Sequence, residues 1–237
     1  MTGPEPARAV PARAVIFDLD GVILDSEHVW EQVMHELFAT HSLRFADLDQ
    51  DSFMGGDNSR QWAEYLRRVG GIPLTEDEIL KWVTDRLIFY YTQALPLVPG
   101  ALEAVACLAA SYRLGLASSS PREIIAFVLE NSGLQRFFTA WASSDDVPRG
   151  KPAPDVYEKA CGLIETDPAC CVAVEDSRVG IRAARSAGLR VIAIPHPSFP
   201  LDAASLELVD LTVTSMGDLD VATVDSVFRS RPDRPVC

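Results

Sequence analysis

The sequence predicts a doubly wound α/β fold, in which a parallel sheet lies between two layers of helices. Short apolar runs without polar alternation have the composition of strands buried on both faces. They occupy residues 14–17, 113–117, 139–143, 171–175 and 190–194. Segments with helical periodicity separate the later runs. This alternation of strand and helix indicates parallel strands joined by right-handed crossovers.

The helices of this core begin and end at recognisable residues. They are predicted at 99–112, 121–131, 155–164 and 177–187. We expect Ser120 to cap the second helix, with Pro121 in its first turn, and Gly188 to end the fourth. A minor strand at 211–215 and a last helix at 218–229 complete the pattern.

Helical patterns alone follow the first strand and interrupt this alternation. They cover residues 27–41, 60–69 and 76–92. We therefore expect an inserted helical cap domain at 28–94. The Rossmann-like core would comprise residues 1–27 and 95–237, with the connections near 21–27 and 93–99 acting as hinges.

The charge balance excludes several classes of partner. The chain has 237 residues with 21 Lys and Arg against 34 Asp and Glu, a net charge of −13. Such an acidic protein has no general attraction to nucleic acid or anionic membranes, and no apolar run approaches the roughly 18 residues that span a bilayer. We expect a small-molecule substrate, and a monomer or weak dimer. An anionic substrate would need a local cation.

The expected location is the cytoplasm. The first thirteen residues have no apolar segment of the kind found in secretory leaders. The five cysteines form no paired framework and no C-x-x-C motif, which is typical of proteins in a reducing compartment.

Two aspartates follow the first predicted strand, in the segment Asp18-Leu19-Asp20-Gly21. Ligands of doubly wound sheets bind beyond the carboxyl ends of the strands, so both carboxylates should face the site. One can act as nucleophile or metal ligand while the other transfers a proton. A solvated turn is the alternative interpretation of this motif alone.

Two further segments suggest an anion site. Ser118, Ser119 and Ser120 follow the second strand and precede a helix, where hydroxyl and N–H groups can bind an anion. Lys151 lies between Gly150 and Pro152, so a rigid loop would present its charge to a phosphate. The alternatives are simple helix capping for the serines and a solvated surface charge for the lysine.

Adjacent carboxylates, Glu175 and Asp176, end the fourth strand. Facing Asp18, they would repel one another strongly unless a cation lay among them. Carboxylate-rich sites suit Mg²⁺, which also takes phosphate oxygens as ligands. The alternative is a favourable interaction of both acids with the N-terminus of the following helix.

Together these motifs resemble the haloacid dehalogenase superfamily, in the branch of β-phosphoglucomutases and sugar-phosphate phosphatases. The resemblance covers about residues 14–195 and rests on four segments in the family's order. They are AVIFDLDGVILDSE, LASSSP, GKPAPDVY and VEDSRVGIRAARSAG.

This resemblance implies a role for each position. Asp18 would attack phosphorus to form an aspartyl-phosphate, while Asp20 would protonate the leaving oxygen and then activate water. Ser118, Ser119 and Lys151 would hold the transferring phosphoryl group. The implied Mg²⁺ ligands are Asp18, Asp20 through its backbone carbonyl, Glu175 and Asp176.

The predicted cap matches the family's helical cap in placement and length. Such caps close over the site and contact the leaving group. Gly55, Gly56 and Asn58 lie in a segment that resembles the cap's substrate-facing loop, although a plain helix connector is the alternative.

The resemblance favours hydrolysis over a mutase reaction. β-Phosphoglucomutases carry a histidine ten residues after the acid/base aspartate and an arginine in the cap loop, where this chain has Trp30 and Asn58. We therefore predict a Mg²⁺-dependent phosphatase acting on a small phosphorylated metabolite such as a sugar phosphate, with a phosphoryl-transfer mutase as the alternative. A non-catalytic binding module on the same fold is disfavoured because all four chemical segments remain.

Overall fold

The computed structural model describes residues 13–47, 58–196 and 200–230. Within them a parallel sheet has the order β3-β2-β1-β4-β5-β6. The strands are β1 Ala14–Phe17, β2 Arg113–Ser118, β3 Ala140–Ser143, β4 Cys171–Glu175, β5 Arg190–Ala193 and β6 Leu211–Thr212. This confirms the predicted fold class and its principal strands, while β6 is shorter than the predicted 211–215.

The helices also follow the sequence pattern closely. They are α1 Glu27–Thr40, α2 Ser59–Arg68, α3 Glu76–Gln93, α4 Ala101–Ala109, α5 Arg122–Asn131, α6 Asp155–Leu163, α7 Arg178–Ser186, α8 Ala203–Leu206 and α9 Val221–Arg229. One capping prediction is wrong. Pro121, not Ser120, occupies the position before α5, and no side chain caps this helix. The hydroxyl of Ser120 is instead committed to Asp20.

The two faces of the sheet present side chains of different size. Toward α4, α5 and α9 the strands present large residues, including Val15, Phe17, Leu116, Val172, Val174 and Ile192. Toward α6 and α7 they present mostly alanines, including Ala14, Ala117, Ala142, Ala173 and Ala193. Because interiors are close-packed, small side chains let α6 and α7 lie close to the sheet.

The strand order creates a topological switch point at the carboxyl ends of the central strands. β1 pairs with both β2 and β4, and the chain proceeds in opposite directions from β1 on its two sides. Ligands of doubly wound sheets bind in the crevice beyond the carboxyl ends of strands at such a point. The residues that follow β1, β2 and β4 are therefore brought to one place.

The helices α1, α2 and α3 pack against one another beside these strand ends. The rings of Trp30 and Trp62 meet edge to face, with centroids 5.8 Å apart, and contribute to this packing. The two connections to the sheet run side by side: Asp25 N donates to Pro96 O, and Val98 N donates to Ile23 O. The domain boundaries at 28 and 94 remain a prediction.

None of the described helices combines the length and the apolar character needed to cross a membrane. Cys107, Cys161 and Cys171 are free thiols, the last two buried.

Candidate active site

Neighbouring strand ends bring the predicted residues together. Phe17 of β1 pairs with Leu116 of β2 on one side and with Val174 of β4 on the other. One residue further along, Asp18 therefore lies beside Glu175. It also lies beside residues 118–120 at the end of β2, which we call the serine loop. The Asp18 N–H donates to the carbonyl of Val174 at 3.0 Å, which fixes the backbone of Asp18 at the strand end.

Lys151 lies at the centre of this cluster and is only 2% exposed, so it is not a solvated surface charge. Its Nζ is 2.9 Å from Asp18 Oδ1 and 2.6 Å from Glu175 Oε1. Burial by itself would lower the pKa of Lys151, but the two carboxylates outweigh burial and raise it. The lysine therefore stays charged. Two of its three N–H donors are used here, which leaves one for an anion.

Glu175 is fully buried, and both of its oxygens are occupied by donors. Oε1 accepts hydrogen bonds from Lys151 Nζ and from the Tyr157 hydroxyl at 2.7 Å. Oε2 accepts from the N–H groups of Asp176 and Ser177 and from the Ser177 hydroxyl. A carboxylate offers about four lone-pair sites. Direct metal ligation by Glu175 would displace some of these donors, so its contacts favour a supporting role.

Within the part of the chain that the structure describes, one group of side chains could hold a metal ion. It consists of Asp18, Glu175 and Asp176, each with one carboxylate oxygen within 4.8 Å of those of the other two. Burial is the largest influence on Asp18 and raises its pKa to about 7 despite Lys151. Burial, followed by the charges of Glu175 and Asp18, raises the pKa of Asp176 well above its usual range. Three buried carboxylates against one lysine leave excess negative charge. A hard divalent cation with oxygen ligands fits this donor set.

Asp20 is held by hydroxyl groups on both of its oxygens. The Ser26 hydroxyl donates to Oδ1 and the Ser120 hydroxyl donates to Oδ2, each at 2.6 Å. The chain turns sharply after Asp20 at Gly21, where φ is +78° and an added Cβ would overlap the Asp176 carboxylate. This glycine lets the loop that carries Asp20 pass close to the Asp176 carboxylate.

The serine loop presents one fully buried hydroxyl. Ser118 Oγ accepts from the Ser120 N–H at 2.9 Å, so the Ser118 proton remains for donation to a ligand. Ser119 is half-buried between these two residues. The Ser143 hydroxyl donates to the Ser120 carbonyl at 2.7 Å and fixes the loop against the end of β3.

Only Asn58 of the predicted substrate-facing loop lies within the described residues. Gly55 and Gly56 lie outside the described residues. Asn58 caps α2, where its Oδ1 accepts from Gln61 N at 3.0 Å. The next residue, Ser59, donates its N–H to Asp145 Oδ1 at 3.1 Å, which joins α2 to the loop after β3. A substrate contact by Asn58 remains a prediction.

Several side chains around the site make contacts that the sequence did not predict. Ser120, expected to cap a helix or bind an anion, instead donates to Asp20. The others are Ser26, Asp145 and Tyr157, together with Tyr91, whose buried hydroxyl lies near Asp20 and whose pKa is raised, mainly by burial. Tyr157 carried the clearest signal, because it lies on the buried face of a predicted helix and a buried tyrosine hydroxyl usually finds a partner. The serines were indistinguishable from helix caps.

Gly180 provides a test of how tightly Glu175 is held. An added Cβ at this helical position would overlap the Glu175 carboxylate, whereas one at Gly162 in α6 meets nothing within 4 Å. Alanine favours a helix over glycine by up to about 1 kcal/mol. We expect Gly162→Ala to raise the free energy of unfolding and Gly180→Ala to lower it, measured by urea denaturation. An equal gain in both variants would contradict the tight packing of Glu175.

Known proteins resemble this chain over most of its length. The family model of haloacid dehalogenase-like hydrolases matches residues 12–188. Hexitol phosphatase B of Escherichia coli K12 is 33% identical over 224 residues, covering 87% of this chain and 93% of that protein.

Solved structures share the fold. CbbY of Rhodobacter sphaeroides, in complex with phosphate, superposes with a TM-score of 0.77 at 26% identity, over 90% of this chain and 99% of that chain. β-Phosphoglucomutase of Clostridium difficile superposes with a TM-score of 0.75 over 92% and 97%, but at 20% identity it shows the fold alone. The fold, the order of the motifs and the family match lead to one conclusion: this chain is an enzyme of the haloacid dehalogenase-like hydrolases.

Proposed function

We propose that this chain is a Mg²⁺-dependent phosphatase that hydrolyses a small phosphorylated metabolite, in the first instance a sugar phosphate, through an aspartyl-phosphate on Asp18. The observation that carries the proposal is the buried Lys151, paired with Asp18 and Glu175 beside the Asp176 carboxylate. A fixed positive charge next to a carboxylate nucleophile suits transfer of a phosphoryl group, which is otherwise repelled by carboxylates.

Binding of the substrate phosphate would use the donors that the structure leaves available. The third N–H of Lys151 and the proton of Ser118 can both reach an anion lying over the ends of β1 and β2. Asp18 and Asp176 are the carboxylates proposed to hold Mg²⁺, with Glu175 supporting them through Lys151 and the turn that follows β4. When bound, the cation would neutralise phosphate oxygens and relieve the repulsion between the carboxylates.

The covalent steps would divide between the two aspartates. Asp18 attacks phosphorus, its O–P bond forms, and the bond to the leaving oxygen breaks as protonated Asp20 donates its proton to that oxygen. Water then attacks the phosphoryl group while Asp20 takes a proton from it, and the Asp18 carboxylate is released together with inorganic phosphate. One residue thus serves first as acid and then as base.

The substrate class is inferred from the relatives and from the charge of the chain. Hexitol phosphatase B is named for a phosphorylated carbohydrate, as is the Phosphorylated carbohydrates phosphatase of Thermotoga maritima. The net charge of −13 disfavours nucleic acid. We further propose that the enzyme acts in the cytoplasm as a monomer or weak dimer.

Removal of the nucleophile tests the mechanism. We expect Asp18→Asn to lower Mg²⁺-dependent hydrolysis of p-nitrophenyl phosphate by about 10⁴-fold or more, since a carboxamide cannot form the acyl phosphate. Asp85→Asn is the matched control because Asp85 is exposed and paired with Lys81 on α3. Circular dichroism checks that both variants fold. Substantial turnover by folded Asp18→Asn would exclude this nucleophile.

Metal binding can be measured without turnover. Titration calorimetry with MgCl₂ should show one site in the wild type, and Asp176→Asn should weaken it by about 10- to 100-fold. Asp85→Asn should bind as the wild type does. If Asp176→Asn binds Mg²⁺ with undiminished affinity, the proposed site is wrong.

The reaction outcome separates phosphatase from mutase. With β-glucose 1-phosphate as substrate, ³¹P NMR should show inorganic phosphate as the product, because Trp30 packs against Trp62 where the mutases have a histidine. Glucose 6-phosphate accumulating faster than free phosphate would instead establish the mutase.

A further inference from the structure

Ser120 is a buried residue with no assigned part in the proposed reaction, yet it contacts the proposed acid/base. It is 4% exposed, and its hydroxyl donates to Asp20 Oδ2 at 2.6 Å. Ser26, 1% exposed, holds the other oxygen of the same carboxylate. Asp20 itself is only partly buried. A partly buried carboxylate is thus oriented by two buried hydroxyl groups from separate segments.

The backbone around Ser120 is fixed on both sides of the residue. Its N–H donates to Ser118 Oγ at 2.9 Å, and its carbonyl accepts from the Ser143 hydroxyl at 2.7 Å. Ser143 Oγ in turn accepts from Asp145 N at 3.1 Å. Three strand ends therefore determine where the Ser120 hydroxyl lies, because Ser118 ends β2, Ser143 ends β3 and Asp20 follows β1.

A hydroxyl is well suited to hold a group that changes protonation state. It donates to an ionised carboxylate, and it can rotate and accept the proton of a carboxylic acid. A backbone N–H or a lysine ammonium has no lone pair with which to accept that proton. The contact between Ser120 and Asp20 can thus persist when Asp20 is an acid and when it is a base.

We propose that Ser120 is a positioning residue that fixes the orientation of the Asp20 carboxyl group for proton transfer to the leaving oxygen. This inference rests on the proposed phosphatase function. Ser120 acts through Asp20 and need not touch the substrate. Its loss should therefore matter most when the leaving group depends on protonation.

The test compares two aryl phosphates, because p-nitrophenolate leaves readily without a proton and phenolate leaves poorly. General acid–base catalysis typically contributes about 10²–10⁴-fold, so Ser120→Ala should lower kcat/KM for phenyl phosphate about 10-fold more than for p-nitrophenyl phosphate. Ser120→Thr, which keeps the hydroxyl, should restore the wild-type ratio. Ser132→Ala is the control, since this hydroxyl bonds to Leu129 O at the far end of α5.

A double-mutant cycle tests whether Ser120 acts through Asp20. In an Asp20→Asn background, Ser120→Ala should have no further effect on kcat/KM for p-nitrophenyl phosphate. Equal losses on both substrates, additive losses in the cycle, or no loss in Ser120→Ala would each overturn the proposal. A wild type that hydrolyses neither ester contradicts the phosphatase function itself, which is a different result.

If Ser120→Ala does not fold, as judged by circular dichroism, Ser143→Ala provides the same test. It keeps the Ser120 hydroxyl but removes the bond to the Ser120 carbonyl, so the leaving-group dependence should change in the same direction. An unchanged ratio of the two kcat/KM values in folded Ser143→Ala would then refute the proposal.

Discussion

The buried ammonium group of Lys151 is the interaction on which the rest of the site depends. An isolated buried charge is expensive, and removing one partner of a buried ion pair leaves the other uncompensated. Lys151 is compensated by Asp18 and Glu175, and Glu175 is compensated further by Tyr157 and by the N–H groups of the turn after β4. The carboxylates remain in excess, which is the electrostatic condition for a divalent cation and then for a phosphate.

Close packing of helices on the sheet brings these charged groups and their hydrogen-bond partners together. The alanine-rich face of the sheet allows α6 and α7 to lie near the strand ends, so that Tyr157 from α6 reaches Glu175. Gly180 in the first turn of α7 has no side chain where the Glu175 carboxylate lies. Each feature removes side-chain volume from the place that a charged group must occupy. The same features explain why small changes near Glu175 should propagate to Lys151 and Asp18.

An acidic enzyme that acts on an anion requires charge to be arranged locally. The net charge of −13 repels phosphate at long range, but salt screens such interactions beyond about 8–10 Å. Inside the site, one lysine, serine hydroxyls and a bound cation would govern what binds. Asp20 belongs to this arrangement as well, because hydroxyl groups hold it rather than a second cation.

The sequence by itself determined the sheet, the helices that flank it and the meeting of Asp18, the serine loop and Glu175. Apolar runs identify parallel strands, and the carboxyl ends of parallel strands share one edge. Tertiary structure alone decided what each side chain contacts. Ser120 resembles a helix cap in sequence but bonds to Asp20, one hundred residues away in the chain. Glu175 resembles a metal ligand, yet Lys151 and Tyr157 from other segments donate to one of its oxygens, and the turn that follows it donates to the other. Local patterns specify where a group lies along its own element, whereas its partners are set by packing between elements distant in the chain.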